Sequence, residues 1–200
     1  MKLLYQPASP FVAKCRMTAA HLGIELDEVV VDATNQAPEL LSVNPLGKIP
    51  CLIDDDAKGD DPAIYDSRVI TRYLNAKANG SLYPREGTFS TPRMEALADG
   101  ISDAAVAIAY EKRFRSEEKV EQSWIDRQWS KVMRGLEVAG GKLPPAGSDI
   151  DAGSIALASA LGYLDLRYQG EWQGGNGAVF EWQTRFDENH PKLAALKPSA

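Results

Sequence analysis

Two side chains near the start of the chain could do chemistry. In "YQPASPFVAKC", residues 5–15, Ser9 offers a hydroxyl and Cys15 a thiol. Ser9 precedes Pro10, and Ser-Pro is the common pairing of a helix N-cap with proline in the first helical position. Cys15 falls on a stripe with Val12, Ala19 and Leu22, at intervals of 3, 4 and 3, so it is expected to be a buried, inert thiol. Further along, Ser67 follows Asp66 at the start of a helical pattern. A serine there is a good N-cap, and a helix N-terminus is also a site for anions. Pro50 follows Ile49 at the beginning of an apolar run. Proline cannot donate to a strand ladder, so this position reads as strand entry. Cys51 is expected to point into the sheet as a small apolar residue. Cys15, Cys51, His21 and His190 lack the spacing of metal ligands, so no metal is expected. "GEWQGGNG" is glycine-rich but lacks a strand before it and a helix after it, so it reads as a loop rather than a phosphate cradle.

The elements that must position these residues can be read from periodicity. "KLLYQ" and "LDEVVVD" read as strands around the Val12–Leu22 helix, a βαβ unit. "DATNQAPELLSVNPLG" is polar and reads as a loop. "KIPCLID" and "PAIYD" read as two strands joined by the acidic turn "DDAKGDDP". A helix then carries Val69, Ile70, Tyr73 and Leu74. This order is a compact α/β layer. "NGSLYPREGTFSTP" breaks the pattern as a linker, and the remainder is helical. Met94, Leu97, Ile101, Ala105 and Ile108 form one stripe, and Ile125, Trp129, Val132 and Leu136 another. "SIALASALGYLDL" is apolar on nearly every face and belongs at the centre of a bundle, with Asp151 and Ser154 forming a variant capping box at its start. The domains are therefore expected at 1–78 (α/β), 79–90 (linker) and 91–200 (all-helical).

Bulk properties exclude several classes. The chain has 200 residues and a net charge of −6, without a run of Lys or Arg, which argues against nucleic acid and anionic membranes as partners. The start turns polar at Gln6, too early for a signal peptide, and no apolar stretch approaches a membrane span. Two cysteines form no disulfide framework, and a cytoplasmic location is the expectation.

"SVNPLGKIP" followed by "IYDSRVITRYL" closely resembles the glutathione-site signature of cytosolic glutathione transferases. The likeness extends over the whole chain, including Trp182 and Arg185 before Pro191, and the "SPF" start is most like the serine-type, theta-like and bacterial branches. The resemblance implies a thioredoxin-like domain holding glutathione and a helical domain forming the wall of an electrophile pocket. It implies a cis peptide at Pro50, turning the backbone of Ile49 outward to pair with glutathione as an added strand would. It assigns the γ-glutamyl carboxylate to Ser67 and the α-amino group to Asp66, although the family more often has Glu or Gln there. Lys48 would reach the glycyl carboxylate. Asp103 would contribute across a dimer interface, with Asp99 its rival.

The family reading also reinterprets Ser9, which takes the place of the first cysteine in the Cys-Pro-x-Cys of glutaredoxin-like relatives. A serine cannot exchange disulfides. It can donate a hydrogen bond to a bound thiolate at a helix N-terminus. A thiol pKa of about 8.5, lowered by two units, makes thiolate dominant and requires roughly 2.7 kcal/mol. The expected reaction is therefore attack of glutathione thiolate, stabilised by Ser9, on a small apolar electrophile. Ala8 and Phe11 would line one wall of its pocket. Tyr110 and Phe114 would line the other or belong to the bundle core. Tyr5, inside the first strand, is read as packing. The family further implies a homodimer and a role in detoxification. The rival functions are glutathione-dependent peroxide or dehydroascorbate reduction, and a non-catalytic dimeric scaffold.

Overall fold

The computed structural model describes residues 1–57, 62–83 and 88–200. The expected acidic turn at 55–62 and the expected linker at 79–90 each fall partly outside these residues. Strand β1 (Lys2–Tyr5) runs parallel to β2 (Asp27–Val30), connected by α1 (Pro10–His21). β3 (Cys51–Ile53) lies antiparallel to β1, and β4 (Ala63–Ile64) antiparallel to β3, giving a sheet of order β2-β1-β3-β4. Helix α3 (Ser67–Lys77) follows.

Period-two alternation along β1 divides the core. Leu3 faces Val12, Cys15, Ala19, Ile70 and Leu74 from α1 and α3, whereas Leu4 joins Val31, Leu40 and Cys51 on the opposite face. That second face has a cover that the sequence reading took for loop. Pro38–Leu41 forms a one-turn helix, α2, with Leu40 fully buried. Four residues are too few to express a helical period, which is why the pattern reads as irregular. With α2 in place, the N-terminal layer is thioredoxin-like.

The C-terminal part is all-helical, as expected: α4 (Ser90–Phe114), α5 (Gln122–Gly140), α6 (Ala152–Tyr168), α7 (Gly177–Asn189) and α8 (Pro191–Ala194). α6 is buried along nearly its whole length and packs against both α4 and α1. Asp151 and Ser154 make a reciprocal capping box at its start. Deep in the interface, the Ser159 hydroxyl of α6 donates to the Pro10 carbonyl in the first turn of α1. Trp182 is buried and donates to the Pro144 carbonyl at 2.7 Å, tying α7 to the loop between α5 and α6. No helix among the described residues is long and apolar enough to cross a membrane.

Candidate functional site

Ser9 is the N-cap of α1. Its backbone is extended, its Oγ accepts the Val12 N–H at 3.3 Å, and Pro10 follows in the first turn. The cap uses the oxygen as an acceptor, which leaves the hydroxyl proton available to donate elsewhere. Ser9 lines a cleft of about 320 Å³ together with Ala8, Phe11, Lys48 and Ile49. Cys15 lies behind it, fully buried, its Sγ donating to the Ser67 carbonyl at 3.7 Å. Burial pushes its thiol far up, against the smaller opposing pull of Lys14, so it stays protonated and unreactive. Cys51 is likewise buried. Tyr5 stays within β1, its ring stacked under the Arg16 guanidinium.

The segment before β3 is held by Asn44, which the sequence reading did not single out. Its Oδ1 accepts the Leu46 N–H at 3.1 Å and its Nδ2 donates to the Lys48 carbonyl at 2.8 Å. Gly47 in this turn has φ 59°, the left-handed region that glycine adopts without steric cost. The Ile49–Pro50 peptide is cis. Lys48 is exposed, and among the described residues its ammonium makes no ion pair.

The start of α3 differs by one residue from the sequence reading. Asp66, not Ser67, is the N-cap. Its Oδ1 accepts the Arg68 N–H at 3.0 Å, and Ser67 is the first helical residue, buried. Both residue types cap helices, and which one does so depends on where helical dihedrals begin, a boundary that spacing leaves open. Asp66, Ser67, Pro50 and Tyr65 line a smaller hollow of about 130 Å³. It adjoins the Ser9 cleft, because Phe11, Lys48, Ile49 and Asp103 line both.

The helical wall comes from two helices. On α4, Asp103, Val106, Tyr110 and Arg113 face the cleft, and on α6 Tyr163 and Arg167 join them. Asp103 lines the cleft of its own chain, without a second copy. Burial pushes its carboxyl up, as does Asp99, while Arg68 and Lys48 oppose the rise. Asp99, one turn earlier, is turned away into a buried network. Lys14 Nζ lies 2.8 and 2.9 Å from its two oxygens, and Arg68 Nε 2.6 Å from Oδ2. Glu95 extends this network, 3.7 Å from Lys14 and hydrogen-bonded to Thr71 and Tyr83. The network joins α1 and α3 to α4.

Tyr110 and Phe114 are 52 % and 55 % exposed, so neither belongs to the bundle core. Tyr110 lines the cleft; Phe114 does not, and packs edge-on against Tyr110 with centroids 5.1 Å apart. Sequence reasoning missed Gln6, Lys14, Val106, Arg113, Tyr163 and Arg167. Val106 and Arg113 follow Asp103 at helical spacing and were findable by that signal; Tyr163 and Arg167 carried none. A larger cavity of about 490 Å³ lies between the first turns of α4 and the end of α5, lined by Met94, Leu97, Val138 and Pro144, and holds none of the candidate residues. Among the described residues, no cluster of His, Cys, Asp and Glu is arranged to hold a metal ion.

Comparison with known proteins supplies the remaining observations. Residues 8–77 match the model described as glutathione S-transferase, N-terminal domain, and residues 122–195 that described as glutathione S-transferase, C-terminal domain. The chain is 31% identical over 173 residues to an uncharacterized GST-like protein, YibF, of Escherichia coli K12, covering 84% of this chain and 83% of that one. It is similar to a glutathione S-transferase of Methylobacillus flagellatus KT solved with glutathione bound, at 35% identity and TM-score 0.87 over 99% of each chain. A glutathione transferase family member from Pseudomonas fluorescens Pf-5 has been solved with glutathione, at 34% identity and TM-score 0.88 over 100% of this chain and 99% of that one. It has also been solved with S-(propanoic acid)-glutathione, at TM-score 0.83 over 100% of each chain.

Proposed function

Because the chain belongs to the glutathione S-transferase superfamily, we propose that it binds glutathione in the smaller hollow and activates its thiol, in the serine-type manner, for attack on an electrophile in the adjoining cleft. One observation carries this reading. Ser9, whose hydroxyl oxygen is engaged in its own helix cap and whose proton is not, lines the cleft that adjoins the hollow of Pro50, Asp66 and Ser67.

In this reading, residues 1–78 hold glutathione and residues 91–200 form the wall of the second-substrate site. The Ile49 backbone pairs with the cysteinyl part of glutathione as an added strand. Ser67 and the N-terminus of α3 receive the γ-glutamyl carboxylate. Asp66 Oδ2, not used by the cap, takes the α-amino group. Lys48 takes the glycyl carboxylate, and Asp103 closes the far side. The sulfur then lies at Ser9. A hydroxyl donor and the partial positive charge of the α1 N-terminus both favour S⁻ over SH. A lowering of about two units corresponds to roughly 2.7 kcal/mol. The thiolate forms the new bond to an electrophilic carbon resting on Ala8, Phe11 and Tyr110. The Pseudomonas fluorescens relative, with a propanoic acid carried on glutathione sulfur, supports room for a substituent beside the sulfur. Family membership supports extending the proposal to a homodimer, a cytoplasmic location and a detoxifying role.

The test is to measure glutathione binding by calorimetry and to titrate the thiolate absorbance of the complex, for the wild type and Ser9→Ala. Both proteins are expected to bind, with the thiol pKa about two units lower only when Ser9 is present. Absence of binding overturns the transferase reading. Equal pKa values in the two complexes leave Ser9 as a helix cap alone.

A further inference from the structure

The helical wall is positively charged where thiol activation alone requires only an apolar surface. Arg113, near the end of α4, and Arg167, near the end of α6, line the same cleft as Ser9. Among the described residues, neither guanidinium lies within 4.0 Å of a carboxylate, whereas Arg16, Arg68, Arg72 and Arg115 are all paired. Arg167 stands beside the buried Tyr163, opposing the rise that burial imposes on that phenol. Arg113 lies over the Phe114 ring at 5.4 Å. Two carboxylates face this region. Asp103 lines the cleft itself. Asp32 does not line it but precedes the lining residue Ala33; its carboxyl is held below the usual range chiefly by Asn35, with Arg113 the smallest contributor. With Lys48 counted, three cations and one carboxylate line the cleft.

A guanidinium presents a planar fork of donors that matches a carboxylate, and it stays charged at any physiological pH. Two such groups at the rim of a surface built from Phe11, Val106 and Tyr110 fit an occupant with an apolar body and an anionic end. We infer that the second substrate is an acid: its reactive carbon lies beside Ser9, and its carboxylate is held by Arg113 and Arg167. This rests on the glutathione reading and narrows its substrate class. For an α,β-unsaturated acid, the thiolate sulfur bonds to the β-carbon. The π pair moves to the α-carbon, which takes one proton from water. Nothing is oxidised or reduced, and the product carries its carboxylate two carbons from sulfur.

The test compares two conjugates of the same shape, S-(2-carboxyethyl)glutathione and its neutral carboxamide, by calorimetry. They are titrated into the wild type, Arg113→Gln, Arg167→Gln and the double variant, with folding checked by circular dichroism. The wild type is expected to prefer the acid by about tenfold, in line with two charge-assisted contacts weakened by solvent at exposed side chains. Each single substitution is expected to reduce that ratio, and the double variant to bring it to about one. Equal binding of the two conjugates by the wild type overturns the inference and leaves the glutathione reading intact. A preference that persists in the folded variants overturns the assignment to these arginines. Binding of neither conjugate overturns both readings.

Discussion

On the thioredoxin-like side of the cleft, each glutathione-site candidate stands at the end of an element, whereas on the helical side the contributions come from within helices. Ser9 precedes α1, Ile49 and Pro50 precede β3, and Asp66 and Ser67 open α3. At such ends, backbone N–H and C=O groups are not consumed by the element's own hydrogen bonds, so the chain can offer main-chain contacts and an aligned helix dipole. Asp103, Val106, Tyr110 and Arg113 lie along α4, and Tyr163 and Arg167 along α6, where the backbone is largely spent and only side chains reach out. On the proposed reading, the first wall would add main-chain contacts and a helix dipole to the side chains of Ser9, Asp66 and Ser67. The second would recognise through side-chain identity alone, which a substitution alters at once. Such a division would suit the proposed pairing of glutathione with a second substrate.

The comparison is most exposed to a break at the joint between the walls. Lys14 is 2 % exposed and bridges α1 to Asp99 and Glu95 of α4. Lys14→Met should leave these buried carboxylates with only the partly exposed Arg68 and Arg72, at a cost on the order of 3 kcal/mol, read from urea unfolding. An unchanged midpoint would mean that apolar packing alone holds the walls together. A smaller effect separates cap from binding group on the first wall. Ser67→Ala should weaken glutathione binding about tenfold, measured calorimetrically, with stability held within about 0.5 kcal/mol. Asp66→Ala, by contrast, should lose about 1 kcal/mol of stability, because Asp66 is the cap. Reversal of this pattern would return Ser67 to the capping role. The smallest effect belongs to Phe114, an exposed ring outside the cleft. Phe114→Ala should change stability by no more than about 0.5 kcal/mol and leave glutathione affinity at its wild-type value; a large loss of affinity would extend the second wall beyond Tyr110.

The same division explains what could be read from sequence. Element ends carry local signatures: Ser-Pro before a stripe, Asp-Ser before another, and Asn-Pro-Leu-Gly-Lys-Ile-Pro before a strand. The βαβ unit, the central apolar helix and the Asp151–Ser154 box were legible for the same reason. The offset between Ser67 and Asp66 was not, since a cap boundary is a matter of one dihedral pair. Lys14 was also illegible. A lysine beside an apolar stripe ordinarily reads as solvated, yet α1 is covered by α3, α4 and α6, so even its polar side is enclosed. Arg113 and Arg167 are 54 positions apart, and nothing local to either announces that α4 and α6 bring them to one cleft.

The hydrogen bond from Ser159 to the Pro10 carbonyl has a mechanical consequence. It fastens the most buried helix of the bundle to the turn that follows Ser9, and so ties the two jaws of the cleft together near its base. On the proposed reading, the exposed side chains of Tyr110 and Arg113, rather than this joint, are the parts of the cleft free to adjust to a bulkier guest. A breeder of new specificities in this scaffold would do best to leave the jaw alone and change its teeth.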